Sequence, residues 1–421
     1  MRQETHPNEL FSEKQYQNMK RILFVLCIGS LFINFTSASN SINSKETEDS
    51  FTIDSEIQRI IDSPLKKEYC EMVTDSLFQI YQQELKDSHG EEWAQKKLLY
   101  KNLSMPFDIR IFGQKPADGR SLFISMHGGG NAPAAINDQQ YWNQIQLYQP
   151  QEGIYIAPRA PFNDWNMWFR PEMDIFFDRL IQLAVIELDV NPNKVYLMGY
   201  SAGGDGVYRM APRMADRWAA AAMMAGHPGD VSPLNLRNIG FTLWVGENDN
   251  GYDRNKMAAD FAAKLDDAKK QDPKGYTYQV HIVKGKGHWM DLEDKAAIPW
   301  MSQFVRNPLP EKIAWRQEES EAFSTSFYWL GIDEKDAQKG YTAVVNRNGN
   351  TFTIEKCDYS KLTFFFNDKM INFDEPVKIT FDGKELFNAK VQRNLKTIYK
   401  TLKLRGDKNF IFSSEVTVNL N

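Results

Sequence analysis

Between Phe107 and Pro308, short apolar runs of strand length alternate with stretches that carry apolar residues at helical spacing. A chain patterned this way must lay strands side by side and send helices across the sheet faces, because parallel neighbours are joined only by long crossovers. Strands are expected near Phe107 to Phe112, Leu122 to Met126, Ile154 to Ala157, Val195 to Met198, Ala219 to Met224, Phe241 to Val245 and Tyr276 to Val283. Pro171 opens a helix carrying Phe176, Leu180, Val185 and Leu188, and Arg254 to Ala268 forms another through Met257, Phe261 and Leu265. The expected fold class is α/β, a mainly parallel sheet with crossover helices.

The flanks read differently. Ile57, Ile60, Ile61 and Leu65, then Met72, Leu77, Ile80, Tyr81 and Leu85, recur at helical spacing and predict one or two amphipathic helices before the sheet. Asn307-Pro308-Leu309-Pro310 marks a boundary, since proline interrupts pairing and biases its neighbour toward extended backbone. Beyond it, Thr351 to Ile354 and Val377 to Phe381 alternate apolar with polar residues, and Asp382-Gly383 is a hairpin turn. A helix is expected through Val391, Leu395, Ile398, Leu402 and Leu404, ending before Gly406, with Val416 to Val418 as a closing strand. The chain therefore divides into a leader over 1–39, an α/β domain with its N-terminal helices over 40–310, and a smaller strand-rich accessory domain over 311–421.

Lys20 and Arg21 precede the 14-residue apolar stretch Ile22 to Phe35, followed by the small residues Thr36, Ser37, Ala38 and Ser39. This is the layout of a secretory signal peptide cleaved near Ala38 or Ser39, with Met19 where such a peptide begins. The stretch is short for a bilayer crossing. The expectation is a secreted or periplasmic protein, not stably inserted in a membrane, with a Ser-rich spacer over Ser41 to Ser50. Among 421 residues, 50 Lys and Arg face 55 Asp and Glu without a long single-sign run, which argues against nucleic-acid binding. Once the leader is removed, Cys70 and Cys357 are far apart and no CxxC or Cys/His cluster suggests a metal; their pairing is left open.

Gly199-Tyr200-Ser201-Ala202-Gly203 follows the buried run Val195 to Met198 and leads into a segment of helical potential. That is a GxSxG nucleophile elbow in the context it requires: a sharp turn lifts a serine Oγ above the sheet toward a base that can take its proton. His127-Gly128-Gly129-Gly130 directly follows the strand ending at Met126. A glycine run there frees backbone N–H groups to meet an oxyanion, and the expected donors are the Gly129 and Ala202 amides, with Gly130 competing for the first place. His127 is read as structural.

The base is expected after the last strand, where Gly287-His288-Trp289 supplies His288. His227 competes for a place in the cleft, but it precedes every acid candidate and breaks the order Ser, Asp, His. The acid that orients the imidazole belongs after Phe241 to Val245, in Gly246-Glu247-Asn248-Asp249, with Asp249 preferred, Asp253 the alternative and Glu247 third. Candidate substrate-binding residues are Trp165, Trp168, His227 and Trp289, aromatic faces being suited to sugars or aromatic acyl groups, with packing under a long loop the alternative for Trp165 and Trp168. Tyr141 and Trp142 extend that inventory, and Arg159, Arg170 and Arg254 could bind a carboxylate, with surface ion pairing the default.

The HGGG, GYSAG, GEND and GHW segments together resemble the α/β-hydrolase superfamily, especially secreted bacterial esterase-like members grouped with polyhydroxyalkanoate-depolymerase-like proteins, feruloyl and acetylxylan esterases, and prolyl-oligopeptidase-like hydrolases. The likeness covers roughly Phe107 to Pro308. It implies the α/β-hydrolase fold and serine-dependent hydrolysis through an acyl-enzyme by Ser201, Asp249 and His288. The implied substrate is a small or polymeric ester, with no metal or organic cofactor. A peptidase and a non-catalytic binding protein on the same fold are the rival expectations.

Overall fold

The computed structural model describes residues 64–318 and 324–420. The expected leader, the spacer and most of the first helical stretch lie outside the described residues. Among those described, no helix is long and apolar enough to cross a membrane.

Helix α1 (Lys67–Ala94) leads into a short strand β1 (Lys97–Tyr100), which the sequence pattern did not reveal, and β2 (Leu103–Phe112). The chain continues through β3 (Arg120–Met126), α2 (Ala134–Leu147), β4 (Gly153–Pro158), α3 (Met173–Leu188), β5 (Val190–Tyr200) and α4 (Ala202–Arg213). It then forms β6 (Ala220–Met224), β7 (Gly240–Gly246), α5 (Arg254–Gln271) and β8 (Thr277–Val283). These eight strands make one sheet in the order β1-β2-β4-β3-β5-β6-β7-β8. β1 and β2 pair antiparallel with each other, β2 pairs antiparallel with β4, and every other pairing is parallel. This is the α/β-hydrolase arrangement.

The central strands β3, β4, β6 and β7 carry almost no exposed residue, as expected of parallel strands covered on both faces. α2 was missed because Gln139, Gln140, Asn143, Gln144 and Gln146 dilute its apolar stripe. Pairing of Met126 with Gly199 brings the carboxyl ends of β3 and β5 level, so the HGGG loop and the elbow emerge side by side. In an open α/β sheet that edge is where ligands collect.

The C-terminal region is strand-rich. It contains β9 (Lys312–Arg316), β10 (Ser326–Phe327), β11 (Leu330–Gly331), β12 (Thr342–Asn348), β13 (Thr351–Cys357), β14 (Lys361–Phe366), β15 (Val377–Phe381), β16 (Lys384–Ala389), α6 (Leu395–Arg405) and β17 (Ser414–Asn419). A five-stranded sheet, β16-β15-β13-β12-β9, faces a four-stranded one, β10-β11-β14-β17. Their shared core includes Phe352, whose ring lies 5.6 Å from Phe364 and 5.2 Å from Phe366. Asp382 and Gly383 take φ of 48° and 73°, forming the left-handed turn that the right-handed twist of a tight hairpin favours. α6 starts at Leu395 rather than Val391, because the Asn394 side chain accepts the Thr397 N–H and caps it there.

The two regions are joined by a continuous buried core and by a cluster of buried charges. Arg306 donates to Asp407 at 2.6 Å, Arg405 pairs with Asp216, and Arg217 donates to the Arg405 carbonyl at 2.9 Å. The ring of Phe410 lies under Arg306 and Arg405 at 4.9 and 4.4 Å. Burial alone would raise Asp407, but Arg306 and Arg217, with the Asn409 N–H, carry it below the usual carboxylate range. Cys70 and Cys357 are both free, and burial pushes their thiols up to about 12 and about 11.

Candidate active site

Ser201 stands between β5 and α4 with φ 58° and ψ −120°, a strained conformation for a residue with a Cβ. Close packing on either side holds it: a Cβ on Gly199 would come within 2.3 Å of the Gly203 carbonyl oxygen, and one on Gly203 within 2.1 Å of that of Met126. The turn is therefore locked between β3 and α4.

His288 Nε2 lies 2.9 Å from Ser201 Oγ, and its Nδ1 lies 2.9 Å from Asp249 Oδ2. A carboxylate accepts from Nδ1–H, which leaves Nε2 unprotonated and able to accept the serine O–H. The carboxylate is almost wholly buried at 2% exposure, whereas the imidazole is 44% exposed. Asp249 is held by its own backbone, its N–H donating to Gly246 and its carbonyl accepting from Asn255, both at 3.1 Å. Of the other acid candidates, Asp253 pairs with Lys256 at 2.9 Å, and Glu247 accepts the Gly285 N–H at 2.8 Å. Neither reaches the imidazole.

The loop carrying His288 is fastened by Tyr200, whose hydroxyl donates to the His288 carbonyl at 2.6 Å and accepts the Met290 N–H at 3.1 Å. Burial raises this phenol above its ordinary range, so the donor stays protonated. Asn137, fully buried on α2, accepts the Gly130 N–H at 2.7 Å. Among the described residues the Gly129 and Ala202 N–H groups have no acceptor, and a Cβ on Gly128 would lie 3.2 Å from that of Ser201. Sequence reasoning missed both Tyr200 and Asn137. Tyr200 occupies the variable position of GxSxG, and Asn137 lies on the helix that was not expected.

His127 is fully buried. Its Nε2 accepts the Ala160 N–H at 3.1 Å, so its proton sits on Nδ1, which donates to the Gly128 carbonyl at 2.6 Å. Burial brings this imidazole down to about 3, and it stays neutral while shaping the glycine loop.

The aromatic candidates separate. Trp289 and Trp142 are exposed and line a cleft of about 900 Å3 that contains Ser201 and His288. Trp168 is corrected: it is fully buried, and its indole N–H donates to the His127 carbonyl at 2.8 Å, so it supports the glycine loop from beneath. The loop after β4 folds back under β3, which sequence spacing does not reveal. Trp165 is exposed but lines a different cavity. His227 is not among the cleft-lining residues; its N–H donates to Asp205 at 2.6 Å, and its Nδ1 accepts the Gly229 N–H at 3.0 Å. Burial, with the charges of Arg254 and Arg209, lowers it.

Among the described residues no aspartate, glutamate, lysine or arginine lines the 900 Å3 cleft; Gln139, Gln140, Asn143, Gln144 and Gln146 from α2 supply its polar wall. Among the described residues there is no cluster of His, Cys, Asp and Glu able to hold a metal ion. The geometry suits attack by an activated hydroxyl on a neutral carbonyl, with backbone N–H groups to meet the oxyanion.

No family model matches the chain, and no curated protein does. Among solved structures, a thermostable esterase is 19% identical, covering 50% of this chain and 62% of its own, with a TM-score of 0.38. This chain thus spans less than two thirds of that esterase. A ferulic acid esterase is 17% identical over 49% of this chain and 96% of its own, with a TM-score of 0.37. A poly(3-hydroxybutyrate) depolymerase from Bordetella parapertussis is 17% identical over 48% and 82%, with a TM-score of 0.34.

Proposed function

We propose that this chain is a serine hydrolase that cleaves carboxylic esters through an acyl-enzyme. The observation that carries the reading is the continuous relay from Ser201 Oγ through His288 to the buried carboxylate of Asp249, each step 2.9 Å. His288 Nε2 takes the serine proton as Oγ bonds to the ester carbonyl carbon, and the Gly129 and Ala202 amides receive the developing oxyanion. The tetrahedral adduct collapses, the ester C–O bond breaks, and His288 returns the proton to the departing alcohol. Water then enters, gives its proton to His288, and attacks the acyl carbon; collapse frees the acid and restores Ser201. Asp249 stays ionised throughout and stabilises the imidazolium.

The 40–310 region carries this chemistry in a chain secreted after loss of its leader, and 311–421 is its accessory region. The uncharged cleft favours an ester whose reacting group is neutral. Labelling of the mature chain by a fluorophosphonate tests the reading: wild type should label, and Ser201→Ala and His288→Ala should not. A folded wild-type protein that resists labelling would overturn it in favour of a non-catalytic binding protein.

A further inference from the structure

The two oxygens of Asp249 face different partners. Oδ2 meets His288 Nδ1 at 2.9 Å, and Oδ1 faces Arg254 Nη1 at 3.9 Å. Arg254 begins α5, the helix whose next residue, Asn255, donates to the Asp249 carbonyl at 3.1 Å. The arginine side chain is 12% exposed and the carboxylate 2%, so salt and water screen the pair weakly. Among the described residues, Asp249 is the acid within ion-pair reach of this guanidinium. Asp253, its neighbour in sequence, pairs with Lys256 instead.

Gly251 eases the approach, since a Cβ there would lie 3.2 Å from Nη1 and 3.8 Å from Asp249 Oδ1. Nη1 donates to the Gly251 carbonyl at 3.1 Å, and the guanidinium lies over the Tyr252 ring at 4.9 Å. These contacts pin the cation in place. At 3.9 Å it stands beyond hydrogen-bond range of the carboxylate, and its Nε is buried with no hydrogen-bond partner. What the guanidinium delivers to the site is therefore charge rather than a fork of donors. A single carboxylate separates it from the His288 ring, so a proton added to that ring places two cations on one acid. The other ionisable groups around the imidazole are Asp205 from α4, Tyr200 from β5 and, on its own loop, Lys286, which pairs with Asp291 and Glu293. α2 brings only uncharged side chains to this cleft. The charge of Arg254 also lowers Asp205 and His227.

We propose that Arg254 is a positioning residue for the hydrolysis: acting through Asp249, it opposes a second positive charge on His288 and so keeps the base able to take the Ser201 proton in mildly acidic surroundings. The inference rests on the serine hydrolase reading and adds the group that sets the acidic limit of the reaction.

The test is the rate at which a fluorophosphonate labels the full-length mature protein between about pH 5 and 9. The probe reads Ser201 and His288 together without a known substrate. Arg254→Gln should move the acidic limb of the rate profile up by about half a pH unit, or about threefold slower labelling on that limb. Arg254→Lys should keep the wild-type limb, because it restores the charge without the fork. Asn255→Ala removes the side chain that holds the Glu247 carbonyl and Asn250 in the same loop but keeps the cation. It should leave the limb unmoved while lowering the melting temperature. Asp205→Asn removes the other acid that Arg254 acts on, and the shift should persist in that background. Arg254→Met provides a second neutral variant should Arg254→Gln fail to fold. An unmoved limb in the neutral variants, a limb that moves equally in Arg254→Lys, or a shift that vanishes with Asp205 overturns the proposal. Wild-type labelling separates the two claims. A labelled protein whose limb ignores Arg254 sinks the positioning role and leaves the hydrolase, whereas a folded wild type that never labels sinks the hydrolase reading and this inference with it.

Discussion

Asp249 and Asp407 are both buried carboxylates facing a nitrogen partner, and they do opposite work. Asp249 faces His288, a group that can gain and lose a proton and is 44% exposed. Asp407 faces Arg306, a permanently charged group at 2% exposure. A carboxylate beside a titratable, accessible ring can follow a proton through a reaction. One beside a sealed guanidinium can only hold two regions of chain together. The comparison teaches that burial of a charge does not mark an active site; the titratability and reach of its partner do.

Three substitutions break or sharpen that contrast. The largest effect is expected from Asp249→Asn, which presents an amide to His288, disturbs its tautomer and should reduce ester kcat by about 10⁴. Its melting temperature should move little, because the ring it holds is half-exposed. Asp407→Asn should do the reverse. Leaving Arg306 buried without its carboxylate partner should cost about 3 to 5 kcal/mol in urea unfolding, with turnover per folded molecule retained. A stable, inactive Asp407→Asn protein would show that the seam positions the site.

The smallest effect concerns Asp205, in the first turn after Ser201, where burial raises the carboxyl to about 6 against the His227 N–H and the charges of Arg254 and Arg209. The folded chain then binds more protons than the unfolded one between about pH 4 and 6, so this residue makes stability fall as pH rises through that window. Asp407, lowered instead, contributes stability above the ordinary carboxylate range that is lost as pH falls. Asp205→Asn should therefore be more stable than wild type near pH 7.5, by on the order of 2 kcal/mol, and the difference should vanish near pH 4. Thermal melts across that range check it; a difference that persists at pH 4 would assign the effect to packing.

Much of the architecture was legible because periodicity and glycine placement are local signals. The seven expected strands of the main sheet all form, and the Asp382-Gly383 turn joins β15 to β16. What escaped were elements whose reason for forming is remote. β1 is held by pairing with β2, and α2 by the loop and cleft it walls. Trp165 and Trp168 are three residues apart and looked equivalent, yet one is exposed and the other is sealed beneath the glycine loop.

The amino-acid order alone determined the sheet, the elbow at Ser201 and the order of chemistry-bearing residues, since strand length, helical period and the glycines of a strained turn act over a few neighbours. Tertiary structure alone decided that Asp249 rather than Asp253 or Glu247 meets His288, that Gly130 is committed to Asn137, and that Trp142 and Trp289 line one cleft. Those outcomes depend on distances between segments far apart in the chain, which packing sets and local propensity does not encode.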